Sequence, residues 1–190
     1  VIADEMLTHP DVDMVTFTGG VAIGKYIAGK AVYKRQVLEL GGNDPIIVME
    51  DADVEEAATL AASGSYKNSG QRCTAVKRML VHERVADQFV ELLVAKTKAL
   101  KYGDPMDPAT DMGTVIDEPA AQHFEQVVSQ AIEGGAKLLA GHVRRGALYA
   151  PTVLDQVDPE MTVVKHETFG PVSPVVRFKD IEEAIRIRTG

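Results

Sequence analysis

The amino-acid sequence predicts an α/β fold with a largely parallel β-sheet. Short stretches with strand patterns alternate with helical patterns of about 10 to 18 residues, as in βαβ units. The glycine-rich turns fall between these stretches, where loops carry chemistry. Of the 190 residues, 45% are hydrophobic and 25% are charged, which is an ordinary globular composition and argues against intrinsic disorder.

Strands are predicted from short runs of β-branched, aromatic and other apolar residues that are bounded by turn residues. In chain order they occupy residues 12–18, 36–40, 45–49, 78–82, 136–139, 152–154 and 172–178. The first run passes directly into Gly19 and Gly20, and a Gly-Gly-Asn-Asp turn separates the second run from the third.

Helices are predicted between the strands from apolar residues at a spacing of three or four. They occupy residues 21–31, 53–67, 85–100, 117–133 and the stretch after residue 180. Asp53, Asp117 and Asp180 are the predicted N-caps, because a short carboxylate there accepts from free backbone N–H groups. In the second helix, the predicted packed face consists of Ala57, Leu60, Ala61 and Gly64.

The charge and cysteine counts exclude several classes of function. The chain carries 20 basic and 28 acidic side chains, a formal charge of −8, which argues against a nucleic-acid surface. A single Cys cannot form an internal disulfide and excludes Cys-rich zinc sites, so we expect no metal centre. No apolar run reaches the length that spans a bilayer, so we expect no membrane partner.

Cys73 is the candidate nucleophile, in the segment NSGQRCT at residues 68–74. Gly70 permits close backbone approach, and the neighbouring Arg72 is a cation that favours thiolate over thiol. The alternative is a buried Cys that acts as a small apolar residue. The polar flank argues against that alternative, because core cysteines usually lie in apolar runs.

Glu39 is the candidate general base, in the segment LELGG at residues 38–42. A carboxylate inside a short apolar strand is costly unless it is paired or functional. If it is buried, it holds a proton more readily, as a base that works near neutral pH must. An edge-strand Glu that points to solvent is the alternative, and the alternation of the strand allows it.

Two further segments are candidates for ligand contacts. In FTGGVAIGK, at residues 17–25, a strand and glycines precede a helix, and the free amides at a helix start can bind an anion. In HETFGP, at residues 166–171, Glu167 could hold a pair of sugar hydroxyls while Phe169 packs beside a flat ligand. The alternatives are an ordinary βα turn and an ordinary Gly-Pro turn.

The order of these four segments resembles the aldehyde dehydrogenase superfamily. FTGG resembles the FTGS-type turn, ELGG the segment with the general base, GQRC the segment with the nucleophile, and ETFGP the E-x-F-G-P segment. Cys73 follows Glu39 by 34 residues, which is the separation that the family keeps. The resemblance covers essentially all of the chain.

The resemblance implies oxidation of an aldehyde to a carboxylic acid with NAD or NADP as cofactor. Cys73 would form a thiohemiacetal, hydride transfer would leave a thioester, and water activated by Glu39 would hydrolyse it. Glu167 matches the residue that contacts the nicotinamide ribose, and Phe169 matches the residue that packs near the nicotinamide. The remaining cofactor contacts implied by the resemblance are Gly19, Gly20, Gly24 and Leu40.

The resemblance also implies a domain organisation. Residues 41–190 would form most of a three-layer catalytic domain, and residues 1–40 the last strand–helix–strand of a Rossmann-like cofactor domain. Family members are more than twice this length, so the chain looks like a fragment that we expect to be inactive alone. We expect the longer protein to be a cytoplasmic homodimer or homotetramer.

Two departures from the family pattern bear on the ligands. Gly20 stands where many members have Ser, which removes one side-chain contact to the cofactor. Arg72 stands where many members have a small or polar residue. GQRCTAVKR resembles the subgroup that acts on phosphate- or phosphonate-bearing aldehydes, such as phosphonoacetaldehyde, and a guanidinium can bind such a group bidentately. Alternatively, Arg72 forms a structural ion pair or only tunes the thiol.

Other functions stay open at this point. A non-phosphorylating glyceraldehyde-3-phosphate dehydrogenase and a lactaldehyde dehydrogenase are the nearest. A CoA-acylating enzyme needs no base at position 39, so Glu39 argues for hydrolysis. A non-catalytic structural or binding relative is the alternative of another class, and the presence of both Cys73 and Glu39 argues against it.

Overall fold

The computed structural model describes residues 2–189 and divides the chain into two compact units, Val1–Gly42 and Asn43–Gly190. This division lies two residues from the predicted boundary between 40 and 41. The assignment of the two units to a cofactor domain and a catalytic domain stays a prediction.

The first unit is a parallel strand–helix–strand preceded by a short helix. Its elements are α1 Ile2–Thr8, β1 Met14–Thr18, α2 Val21–Lys30 and β2 Arg35–Glu39. The strands β1 and β2 pair in parallel, and Thr18 lies opposite Glu39. Leu7, Ile27 and Ala31 form its small buried core. The predicted strand–helix–strand is confirmed, whereas α1 was not predicted.

The second unit contains the larger sheet and the remaining helices. Its strands are β3 Asp44–Val48, β4 Val76–His82, β5 Lys137–Ala140, β6 Arg144–Arg145, β7 Leu148–Tyr149, β8 Thr152–Asp155 and β9 Val172–Phe178. Its helices are α3 Val54–Tyr66, α4 Glu83–Ala99, α5 Glu118–Glu133, α6 Thr162–Lys165 and α7 Ile181–Thr189, with a 3₁₀ turn at Lys67–Gly70. The sheet order is β3-β4-β9-β8-β5, and only β5 pairs antiparallel with its neighbour. The predicted α/β class with a largely parallel sheet is confirmed.

Helices cover both faces of this sheet and make three layers. Along β4, Met79 and Val81 pack into a cluster with α3 and α4, while Leu80 packs into a second cluster with α5. Both β4 and β9 are buried along almost their whole length. The middle of β4, residues 79–81, is accordingly apolar, as parallel strands covered on both faces usually are.

The predicted N-caps are confirmed by backbone-to-carboxylate hydrogen bonds. Asp53 accepts from the Glu56 amide at 3.0 Å, and Asp117 accepts from the Ala120 amide at 2.8 Å. Asp180 accepts from the Glu183 amide at 2.9 Å. Each carboxylate satisfies one of the donors that the first helical turn leaves free.

The packed face predicted for α3 is wrong in part, because the buried residues lie rotated about the helix axis from the predicted ones. Leu60, predicted to be packed, is 56% exposed, whereas Ala58 and Ala62 are buried beside Ala61. Small residues occupy most of this helix, so its apolar pattern does not select one face. The close approach of α4 and β4 makes the selection instead, because small residues let backbones approach.

Candidate active site

The first unit brings two predicted site segments together at the carboxyl ends of its strands. The Gly19 amide donates to the Glu39 carbonyl at 3.0 Å, which joins the glycine turn to the end of β2. Ligands of parallel α/β sheets bind at this edge. The Glu39 side chain is exposed in this chain, so the burial expected of a tuned base is not present here. Its role as base stays a prediction.

The start of α2 suits an anionic group. Gly20 is the N-cap, no side chain caps the helix, and the first turn contains no acidic residue. A Cβ added at Gly20 would meet no atom of the described residues 2–189 within 4 Å, so the backbone is open to approach. Free amides at an open helix start match the oxygens of a pyrophosphate, and this donor set therefore fits a dinucleotide.

Gly24 and Leu40 pack against each other in the same unit. A Cβ at Gly24 would lie 2.5 Å from Leu40 Cδ2, so the absence of a side chain lets the helix approach the end of β2. Gly24 is itself buried. Direct contact of either residue with a cofactor stays a prediction.

The Cys73 turn has an unusual backbone. Asn68, Ser69 and Gly70 have φ values of 54°, 54° and 73°, three consecutive residues in the left-handed region. Asn and Gly tolerate this conformation, but Ser does so less readily, and such strain clusters at functional sites. The buried Ser69 hydroxyl donates to the Gly113 carbonyl at 3.0 Å, which holds the turn in place. The turn leaves Cys73 exposed.

The Cys73 turn is seated directly on the ETFGP segment. A Cβ at Gly70 would lie only 2.3 Å from the Gly170 carbonyl oxygen, so the two backbones are in close contact. Gly170 in turn packs on the Phe124 ring, which a Cβ would meet at 2.6 Å. Two segments 100 positions apart in sequence thus lie together, as the resemblance requires of a nucleophile and cofactor contacts.

Lys77 contacts three of the candidate site residues and was not predicted from the sequence. Its side chain is 4% exposed, and its ammonium lies 3.0 Å from Glu167 Oε1. It also donates to the Cys73 carbonyl at 2.8 Å and lies 6.0 Å from the centre of the Phe169 ring. A charged residue at the second position of a buried strand was the available signal, and the strand prediction began one residue too late to include it.

The Arg72 guanidinium is held by a hydrogen bond to a backbone carbonyl. Its Nη2 donates to the Gly64 carbonyl at 2.7 Å, which ties it to the end of α3. Its Nε is buried and has no hydrogen-bond partner among residues 2–189. A buried unsatisfied donor is costly and is often explained by a ligand or water. The contact of Arg72 with substrate stays a prediction.

Comparison with known proteins decides the family. The model of the aldehyde dehydrogenase family matches residues 1–188. The chain belongs to the aldehyde dehydrogenase family. The three-layer α/β fold of the second unit agrees with this membership.

Relatives within the aldehyde dehydrogenase family are named after different aldehyde substrates. The sulfoacetaldehyde dehydrogenase of Neptuniibacter caesariensis is 45% identical over 97% of this chain and 40% of that protein. The lactaldehyde dehydrogenase of Methanocaldococcus jannaschii is 43% identical over 98% of the chain and 40% of that protein. The chain therefore spans about 40% of the length of these relatives.

A solved structure has the same fold. The NADP-dependent glyceraldehyde-3-phosphate dehydrogenase of Bacillus halodurans, complexed with NADP, superposes with a TM-score of 0.95 at 46% identity. The match covers 98% of this chain and 39% of that one. Within residues 2–189, no helix is both long and apolar enough to cross a membrane.

Proposed function

We propose that the longer protein containing this chain is an NAD- or NADP-dependent aldehyde dehydrogenase in which Cys73 is the nucleophile. The observation that carries the proposal is the exposed Cys73 on a strained turn seated against Gly170. An accessible thiol on a rigidly held turn is what covalent capture of a carbonyl needs. Solved relatives complexed with NADP or NAD support the choice of cofactor.

The first half-reaction oxidises the substrate on the cysteine. The Cys73 thiolate attacks the aldehyde carbon, a C–S bond forms, and the carbonyl electron pair moves to oxygen, where the Cys73 amide would help to stabilise it. That pair then re-forms the carbonyl as hydride leaves the same carbon. Bound NAD or NADP supplies the hydride acceptor. The product on Cys73 is a thioester, two electrons more oxidised than the aldehyde.

The second half-reaction releases the acid. Glu39 takes a proton from water, the water oxygen attacks the thioester carbon, and the C–S bond breaks to return the Cys73 thiolate. A base is needed because neutral water attacks thioesters slowly. Within this chain, Gly19 and Gly20 would face the pyrophosphate, and Glu167 and Phe169 would face the nicotinamide riboside.

The proposed substrate is an aldehyde that also bears a small oxyanion. The buried Nε of Arg72, which has no hydrogen-bond partner within residues 2–189, supports this class, since a phosphate, phosphonate or sulfonate oxygen can accept from a guanidinium. The names of the sulfoacetaldehyde and glyceraldehyde-3-phosphate relatives support it as well. Phosphonoacetaldehyde stays our specific prediction, with glyceraldehyde 3-phosphate and lactaldehyde as alternatives.

Arg72→Ala in the longer protein tests the substrate class. KM for phosphonoacetaldehyde and sulfoacetaldehyde should rise at least about tenfold, as expected for loss of a charge-assisted hydrogen bond. KM for lactaldehyde, which has no anionic group, should change little. Equal effects on all three would contradict the anion pocket.

The two half-reactions can be separated in the longer protein by pre-steady-state kinetics. Glu39→Gln should give a burst of NAD(P)H close to one equivalent per site and then stall, because the thioester forms but is not hydrolysed. Cys73→Ser should give no burst. Rapid steady turnover by Glu39→Gln would contradict its role as base.

We also propose that the longer protein is a cytoplasmic homodimer or homotetramer. Analytical ultracentrifugation of the longer protein measures its oligomeric state.

A further inference from the structure

We propose that Lys77 is a positioning residue that fixes the Glu167 carboxylate relative to the Cys73 turn, and thereby sets the affinity for the dinucleotide. The inference rests on the proposed function, because it assumes that Glu167 contacts the cofactor. Lys77 itself would touch neither cofactor nor substrate. It would act through the two segments that it joins.

The contacts of Lys77 satisfy a buried cation. An ammonium removed from water is costly unless it is paired and hydrogen-bonded. The ammonium donates to two acceptors, the Glu167 carboxylate at 3.0 Å and the Cys73 carbonyl at 2.8 Å. The Phe169 ring, at 6.0 Å, adds a face that attracts a cation.

The difference in exposure assigns the two partners different roles. Lys77 is 4% exposed, whereas the Glu167 side chain is 25% exposed and can be reached from outside the protein. The carboxylate is therefore the group that meets a ligand, and the ammonium behind it sets its orientation. Because the same ammonium holds the Cys73 carbonyl, a change at Lys77 acts on both sides of the site.

A double-mutant cycle in the longer protein tests this role. The variants are Lys77→Met, Glu167→Gln and the double variant, and the readout is the dissociation constant for NAD and NADP by calorimetry. Lys77→Met should raise that constant about tenfold, as for loss of a hydrogen bond between charged groups. In the Glu167→Gln background, Lys77→Met should change the dissociation constant by less than about twofold, because the carboxylate that Lys77 positions is gone.

Lys96→Met is the matched control. Lys96 pairs with Glu55 at 2.6 Å on the surface of α3 and α4, so the variant removes a Lys–Glu pair that includes no site residue. It should leave the dissociation constant unchanged. Circular dichroism and the thermal midpoint verify that each variant is folded. If Lys77→Met does not fold, Lys77→Gln takes its place in the cycle, since its amide can still donate to the Cys73 carbonyl without carrying the charge.

The outcomes separate this inference from the proposed function. A tenfold loss that persists in the Glu167→Gln background would show that Lys77 acts only on the general fold and would overturn the inference. A folded Lys77 variant with wild-type affinity would overturn it as well. If Glu167→Gln alone binds the dinucleotide like the wild type, the cofactor contact of Glu167 in the proposed function fails first.

Discussion

At the residue scale, Gly70 determines how the Cys73 turn is seated. It has φ of +73°, which L side chains rarely adopt, and its Cα faces backbone atoms of Gly170 and Ser65. A side chain there meets both a conformational penalty and a clash with backbone that cannot move aside. The position of the Cys73 turn thus depends on one missing methyl group.

We expect Gly70→Ala to lower the free energy of unfolding by about 3 kcal/mol or more, because strain and clash act together. Gly146→Ala is the matched control. Gly146 has φ of +59°, and no atom of the part of the chain that the structure describes lies within 4 Å of an added Cβ, so only the conformational cost of about 1–2 kcal/mol applies. Urea unfolding measures both. Equal losses in the two variants would mean that the contact with Gly170 is not tight.

The candidate residues differ in how far the sequence could place them. Cys73 and Glu167 were recognised from local motifs, since each motif is a short contiguous string. Lys77 was not recognised, because its partners are the Cys73 carbonyl and a carboxylate 90 positions away. Long-range pairing of this kind leaves no periodic signal in a single sequence.

At the element scale, the start of α2 combines an open end with a closely packed first turn. Gly20 faces open space, while Gly24, one turn later, lies against Leu40. The same element therefore offers one glycine that can be replaced without displacing a neighbour and one whose replacement must displace the Leu40 side chain.

We expect Gly20→Ser to change the free energy of unfolding by only a few tenths of a kcal/mol, because Ser is a good N-cap and has room. Gly24→Ser should cost about 1–2 kcal/mol, since the new side chain displaces Leu40. The comparison of chemical denaturation midpoints checks this. A Gly20→Ser loss as large as that of Gly24→Ser would contradict the open geometry.

The phenol of Tyr66 links three elements and predicts a loss of stability at alkaline pH. Thr97 of α4 donates to its oxygen at 3.2 Å, and the phenol donates to the Thr152 carbonyl of β8 at 3.3 Å. Burial raises the pKa of Tyr66 to about 12 from the ordinary value of 10.0. Above pH 10 the unfolded chain loses this proton while the folded chain keeps it, so stability falls as pH rises from about 10 to 12.

By pH 11, Tyr66→Phe should remove about 1.4 kcal/mol of that pH-dependent loss, the value of the one pKa unit between the unfolded pKa and pH 11. At pH 7 the variant should be less stable by about 1 kcal/mol, because two hydrogen bonds are lost. Unfolding at pH 7, 9, 10 and 11 measures both effects. Tyr33→Phe is the control, because Tyr33 is fully exposed, and its curve should follow the wild type. A Tyr66→Phe curve with the wild-type slope would contradict the prediction.

Elements were predictable where a short-range signal exists. The caps of α3, α5 and α7 follow from one Asp each, and β9 begins and ends at the predicted residues. The short elements were missed, namely α1, α6, the 3₁₀ turn and the β6–β7 hairpin. Two to seven residues are too few to show a period, and contacts with the rest of the unit stabilise such pieces.

At the scale of the whole molecule, the first unit leaves much apolar surface uncovered. Its two-stranded sheet and helices line an apolar groove of about 470 Å³, with Met14, Ile23 and Tyr26 about half exposed. Apolar surface of this extent usually meets another part of a protein. This agrees with a chain that spans about 40% of its relatives.

We expect the purified 190-residue chain to produce no NAD(P)H from any aldehyde, because it spans about 40% of its relatives and we expect part of the cofactor contacts to lie in the rest of their length. The assay measures absorbance with phosphonoacetaldehyde, sulfoacetaldehyde and lactaldehyde and with either cofactor. Iodoacetamide labelling of Cys73 is the positive control, since the thiol is exposed. Detectable turnover would contradict the prediction.

The sequence by itself determined the α/β class, the order of the long elements, their caps and the family. Each of these depends on contiguous residues or on periodic spacing, which a single chain displays. Only the tertiary structure decided that α3 exposes Leu60, that Gly70 lies against Gly170, and that Lys77 joins Cys73 to Glu167. These depend on which distant segments approach one another, and the packing of helices on the sheet selects those contacts.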